Sequence, residues 1–276
     1  MFAFRVTARE TRASMASSSV ALALAAAFAT GAPAPAPAPG SEVPPTAGTP
    51  AAALEPARAP AAERETIEVL VRRCMNAYGG SRARVRLGRV RVIGKVSSRL
   101  HPGEAGTFAR TFARGRGLRI EVGFAGSAPE VRLLDGPRAF RYGEPAPKPV
   151  AAALQLEAAR LDLPALLEDR EAEVQDQGEV EHEGQRLRVL GLELAAGARI
   201  EAGIDPRTGR ILYARGLARS GPRELEVFTV YRNFRTVDGI LVAFKEEGYA
   251  NGEATGDVEL AAVELLDEVP ESVFQP

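Results

Sequence analysis

The sequence predicts a mainly β protein of the α+β type: a strongly curved, open antiparallel sheet of about ten or eleven strands, with a helix before it and a helical segment set into its middle. Three observations carry that expectation. From Arg89 onward the apolar period is two, as in Val90, Val92 and Val96 or Leu118, Ile120, Val122 and Phe124. Two runs rich in Val, Ile, Phe and Tyr, between Leu225 and Tyr249, flank Asp238-Gly239, a pair suited to the positive φ of a tight hairpin. Helical spacing is confined to two places, Ile67 to Tyr78 and Val150 to Leu161.

The 276-residue chain opens with segments that cannot build a core. Arg5, Arg9 and Arg12 precede an apolar run from Val20 to Ala29, too short to span a bilayer, and Ala27-Phe28-Ala29 offers a small-x-small cleavage pattern. Residues 1–29 therefore read as an export signal, cleaved near Ala29, in preference to an alanine-rich tail on a cytosolic protein. With no cysteine at that site, a lipid-anchored mature end is not expected, and the product should be soluble in the periplasm. Residues 30–62, built around PAPAPAPG, read as a spacer of polyproline type. Ala-Pro repeats offer few side chains for recognition, so a plain linker is preferred over a ligand for a proline-binding module. The folded domain is placed at 63–276.

Within that domain, Ile67, Leu70, Val71, Cys74, Met75 and Tyr78 share a helical stripe that stops at Gly79-Gly80. Strands follow from Val90, Phe108 and Leu118. Another, from Glu130 to Leu134, turns at Asp135-Gly136-Pro137 and returns through Phe140. Pro145, Pro147 and Pro149 then lead into the helical insert, where Leu154, Ala158 and Leu161 lie on one face. Asp162 is expected to cap a short second piece, with Pro164 in its first turn. Strands resume at Gln185–Leu194, Arg199–Ile204 and Arg210–Leu217, followed by the long hairpin and a last strand from Thr255 to Leu266. Helices against the concave face of such a sheet would enclose an apolar interior.

Composition excludes several function classes. Net charge is -1 and 45% of residues are apolar, so the chain is neither a polyanion binder nor disordered. Cys74, on the apolar stripe, reads as a buried thiol. His101 and His182 read as exposed loop residues without metal-ligand spacing, and the carboxylates show no acid/base pair. No catalysis, cofactor, metal or nucleic-acid partner is expected. Charge is nonetheless uneven. Residues 72–119 hold thirteen Arg or Lys against Glu104, and residues 224–276 hold twelve Asp or Glu against Arg232, Arg235 and Lys245. Pairing across neighbouring strands is preferred as the explanation over a surface for anionic head groups.

Several short motifs then occur in a particular order: Ala77-Tyr78-Gly79-Gly80, Leu134-Asp135-Gly136, Ile204-Asp205-Pro206-Arg207-Thr208-Gly209, Tyr231 to Ile240, and a terminal Val273-Phe274-Gln275-Pro276. In that order they resemble the periplasmic outer-membrane lipoprotein-sorting proteins, the LolA/LolB-like superfamily, over Glu63 to Pro276. The resemblance implies a half-barrel closed by a helical lid over a hydrophobic cavity that takes acyl chains. This chain departs from the pattern in having Phe140 where Trp is common, and Leu241-Val242-Ala243 where a proline often stands. No gating arginine can be matched to a position.

The expected function is an exported monomeric carrier for a lipid or the acyl chains of a lipoprotein. The second reading is an interaction module of the same fold with an envelope protein partner. Alternation nominates Val92, Val96, Phe112, Ile120, Val122, Phe124, Phe140, Leu154, Leu161, Phe228 and Phe244 as cavity-lining residues.

Overall fold

The computed structural model describes residues 66–220 and 223–276; the expected signal and spacer lie outside them. Thr66 caps α1 (Ile67–Tyr78), its Oγ1 accepting from the Val69 N–H at 3.4 Å, and the helix buries Leu70, Val71, Cys74, Met75 and Tyr78. Gly79 ends it at φ 117°, a left-handed conformation that only glycine adopts without strain. A Cβ there would also sit 2.8 Å from the Gly239 carbonyl oxygen, so the helix end is fitted against the Asp238-Gly239 turn. A short α2 (Ser81–Arg86) follows, too polar to have shown an apolar stripe.

The strands then run β1 (Arg89–Ser98), β2 (His101–Ala113), β3 (Gly117–Gly123), β4 (Glu130–Asp135), β5 (Arg138–Arg141) and the two-residue β6 (Glu144–Pro145). Next come α3 (Lys148–Leu161), α4 (Ala165–Asp169) and a 3-10 turn at Glu171–Glu173. The second set comprises β7 (Gln175–His182), β8 (Gln185–Glu193), β9 (Arg199–Ile204), β10 (Ile211–Ser220), β11 (Arg223–Val237), β12 (Ile240–Ala250) and β13 (Glu253–Leu265). A final 3-10 turn spans Glu271–Phe274. All pairings are antiparallel, and the described strands form one curved, unclosed sheet of 13 in the order β6-β5-β4-β3-β2-β1-β13-β12-β11-β10-β9-β8-β7. The two strands beyond the expected eleven are the edges: β6 is minimal, and β7, QDQGEVEH, is polar on both faces and has no alternation to read. His182 thus ends β7 and His101 begins β2; neither lies in a loop.

This topology places the helical insert. The edges β6 and β7 are consecutive in sequence, so the chain between them must cross the face of the sheet. It does so on the concave side, where α3 touches β3, β4 and β5 at one flank and β9, β10 and β11 at the other. Fourteen helical residues span about 21 Å, whereas β4 and β10 would stand about 34 Å apart in a flat sheet. One helix can reach both only because the sheet curls around it. Asp162 is not the cap expected for α4. It ends α3, and its carboxylate receives the Arg114 Nε–H, while its backbone carbonyl accepts from Leu166 at 3.0 Å.

On the convex side the chain after β13 returns across the first half of the sheet. Val269 and Phe274 cover Ala113 and Leu133, with Phe140 packed alongside. The opposite-sign segments of the sequence are sheet neighbours, because β1 pairs with both β2 and β13. Arg91 meets Glu264 across the strands, and Arg99 meets Glu253 and Arg116 meets Glu271 at the turns beside them, so ion pairing between the two segments accounts for part of the asymmetry.

Gly79→Ala should lower stability by about 1–3 kcal/mol, from left-handed strain and the contact with the Gly239 carbonyl. Urea unfolding of the two proteins reads this directly; an unchanged midpoint would mean that α1 ends without being fitted to that turn.

Candidate functional site

Beneath α3, four charged side chains form a closed ring in the interior. Glu246 projects from β12 on the same face as Phe244, and Arg110 from β2 between Phe108 and Phe112. Arg110 donates from both terminal nitrogens to the Glu246 carboxylate, at 2.9 and 2.7 Å, and from Nη1 to Glu157 Oε1 at 3.1 Å. Glu157 and Arg160 stand one turn apart on α3. Arg160 donates twice to Glu157, both at 2.6 Å, and to Glu246 Oε2 at 2.7 Å. Its Nη1 lies 3.3 Å from the Tyr231 hydroxyl on β11. All four side chains are only 5–8% exposed. Two positive and two negative charges cancel, so the ring is neutral as a unit and fastens the helix to three strands of the sheet.

Burial and pairing act in opposite directions on these groups. Burial would raise the Glu246 pKa, but Arg110 and Arg160 outweigh it and hold the carboxyl well below the usual range. Burial would likewise lower both arginines, yet Glu246 and Glu157 hold them above their ordinary value. Tyr231 is pushed up, chiefly by burial. Arg110 Nε is buried with no protein partner among the described residues, the one donor that the ring leaves over.

Beside the ring lies a cavity of about 90 Å³. Arg110, Arg160, Glu246 and Tyr231 form its polar wall, and Tyr78, Val90, Val92, Leu161, Leu241 and Leu260 are among its apolar lining. A volume of this size holds a few waters at most. Most of the concave face is packed solid by α1, α3 and α4.

Eight of the nominated residues, Val92, Val96, Phe112, Ile120, Val122, Phe124, Leu154 and Phe244, fall in one buried cluster under α3, and Leu161 packs against it. Of these only Val92 and Leu161 border the cavity. Phe140 and Phe228 lie elsewhere. Phe140 pairs with Leu133, whose neighbour Leu134 points inward, so both face the C-terminal segment on the convex side. Phe228 alternates with Val227, which packs toward Leu156 of α3, and so turns outward against Tyr213 and Tyr249.

The ring itself escaped the sequence reading. Its signal was a charge at an inward parity, Arg110 between Phe108 and Phe112 and Glu246 two after Phe244, with Glu157 and Arg160 on the face of Leu154 and Leu161.

Other reactive groups are engaged structurally. Burial pushes the Cys74 thiol well above its ordinary pKa, which disfavours the thiolate a nucleophile needs. His101 stacks on Phe124 with ring centroids 4.0 Å apart. Among the described residues, no group of three or more His, Cys, Asp or Glu could hold a metal ion, and no helix is long and apolar enough to cross a membrane.

No family model and no curated protein matches the chain. Among solved structures it is similar to a LolA superfamily protein, NE2245 from Nitrosomonas europaea, at 12% identity over 71% of this chain and 97% of that one, with a TM-score of 0.45. It is also similar to a putative outer membrane lipoprotein-sorting protein domain from Vibrio parahaemolyticus (11%, 76% and 97%, TM-score 0.42). A DUF1329 family protein from Desulfovibrio piger is a third (11%, 76% and 97%, TM-score 0.41).

Glu246→Gln would leave two buried guanidinium groups sharing one carboxylate, and should cost about 3–5 kcal/mol of stability by urea unfolding. Replacing all four ring residues by Leu or Met should cost far less, because no unpaired charge remains. A second expectation concerns acid. With its pKa depressed in the folded state, Glu246 contributes stability that is complete above the ordinary glutamate value near 4.3 and is lost as pH falls through the lower folded value. Protection factors of the α3 amides, taken relative to the intrinsic exchange rate at each pH, should therefore hold at neutral pH and fall only below about pH 4. Glu246→Gln should lack that acid dependence; an α3 that loosens near neutral pH in the unaltered protein would refute the assignment.

Proposed function

We propose that the protein is an exported carrier or binding protein of the cell envelope, which shelters the acyl chains of a lipoprotein or another lipid between the concave sheet and α3. The observation that carries this reading is the roof itself: one helix spans an apolar concave face and is fastened to it by a neutral ring of buried charges. On this reading the arrangement described above is the closed state. A ligand would enter by lifting α3, and about 0.8 kcal/mol per methylene is the most that burial of its chain could contribute.

The ring suits such a lid. A buried ion cluster is worth little relative to the same charges in water, so opening all four groups together into solvent is affordable, while losing a single partner is not. The helix can then move as a unit and return to one register. Neutrality also bears on the ligand. The site offers no surplus charge for an ionised head group, so the part taken inside is the uncharged chain, with its head group at the mouth.

A second reading, an interaction module of the same fold with an envelope protein partner, is favoured by the interior volume. About 90 Å³ is well short of the several hundred that ligand pockets occupy. If α3 never lifts, the fold is a platform rather than a container.

Native mass spectrometry of protein purified from the periplasm without detergent, together with uptake of a fluorescent fatty acid, separates the two. The carrier should show a co-purifying acylated mass or take up the probe. Leu161→Glu, half-buried at the cavity wall, should abolish uptake with the protein still folded, and Glu157→Gln should speed uptake by weakening the ring. A clean apo mass with no uptake in any variant would favour the module.

A further inference from the structure

The convex face is covered unevenly. Over β1–β5 the chain's own C-terminal segment lies on it, burying Val269 and Phe274. Over β7–β12 there is instead a trough of about 490 Å³ floored by aromatic rings. His182 meets Tyr213 at 5.3 Å between ring centroids, Tyr213 meets Phe228 at 5.0 Å, and Phe228 meets Tyr249 at 5.9 Å, a continuous ladder running across the strands. Val180, on β7 at the rim, is 39% exposed. None of these residues serves the ring or the cavity.

From this trough the structure assigns a second role to the chain's own N-terminal segment: we propose that residues 33–39, PAPAPAP, dock on the aromatic ladder as a polyproline II strand. Four features fit. Aromatic-lined grooves are the usual partners of polyproline II segments, whose low ordering cost favours binding. The trough crosses five strand spacings, about 24 Å, and seven residues of polyproline II extend about 22 Å.

Charge is also matched. Glu201 and Glu226, which line the trough, are held by Arg199 and Arg215, and residues 33–39 carry no charge. The hydrogen-bonding groups are complementary as well. Polyproline II leaves its carbonyls unpaired and its prolines have no N–H, so the segment presents acceptors. His182 Nε2 is buried in the trough wall without a partner, and as the N–H tautomer it would donate to one of them.

The connection is short enough. Among the described residues α1 packs against the Glu171–Glu173 turn that leads into β7, the strand at the rim of the trough. Residues 40–65 could extend about 80 Å, ample to round one strand. Both ends of the chain would then lie on the convex face, one over each half of the sheet.

Paramagnetic relaxation by a nitroxide placed at Ala36→Cys in the full, isotopically labelled chain tests this; the native Cys74 is buried and would not take the label. Amide signals of Val180, Val189, Tyr213 and Phe228 should be lost, while those of β2 and β3 persist. Val180→Glu, at an exposed position that does not threaten the fold, should restore them. So should replacing Pro33, Pro35, Pro37 and Pro39 together by Gly. Retained trough signals in the labelled chain would overturn the proposal. So would the same losses in an unlabelled-nitroxide, isotope-labelled chain mixed with a nitroxide-bearing partner, because the occupant would then be a second copy.

Discussion

Two arginines and two glutamates meet inside this protein where apolar side chains would otherwise pack, and the position of α3 depends on them. Arg110 comes from β2, Glu246 from β12, and Glu157 and Arg160 from the helix itself. Because each carboxylate bridges both guanidinium groups, the helix cannot slide or rotate by a turn without leaving buried charge unpaired. Apolar packing alone would tolerate several registers of a helix as rich in Ala and Leu as KPVAAALQLEAARL. In this structure the ring contributes position more than net stability.

The sheet makes that arrangement possible. Among the described strands the only neighbours out of sequence order are β1 and β13, which join a first meander of six strands to a second of seven. This leaves β6 and β7 at opposite edges although they are consecutive in the chain, and the insert between them has to bridge the open mouth. The bridge in turn requires curvature, since α3 is shorter than the flat distance between the flanks it touches. Topology, curl and lid are therefore one constraint seen from three sides. The opposite charges of β1 and β13 follow the same logic on the convex face, where Arg91 and Glu264 stand across the seam.

The two faces of the sheet are specialised differently. The concave face is apolar, interrupted by a neutral ionic cluster at its centre and a small cavity beside it. The convex face is mostly paired charge, with an apolar patch under the C-terminal segment and an aromatic trough over the other half. A carrier needs the first face to open; a platform needs the second to be occupied. The fold permits both, and the ring is where they are distinguished.

Periodicity by itself determined most of the architecture: the helix from Ile67, the strands, the Asp238-Gly239 hairpin and the insert from Val150 are written in local patterns that the backbone must obey. The eight residues gathered under α3 were legible for the same reason, since a strand side chain can point only to one face or the other. Tertiary structure decided what alternation leaves ambiguous. Phe140 sits on a four-residue strand with an arginine on each face and Phe228 on a strand apolar on both, so parity could not say which face was inner. β7, polar apart from Val180, is a strand only because β8 offers it a ladder. The ring was out of reach because its partners lie 47, 136 and 86 positions apart in sequence, and only folding shows that charges at inward positions on β2, α3 and β12 converge on one point.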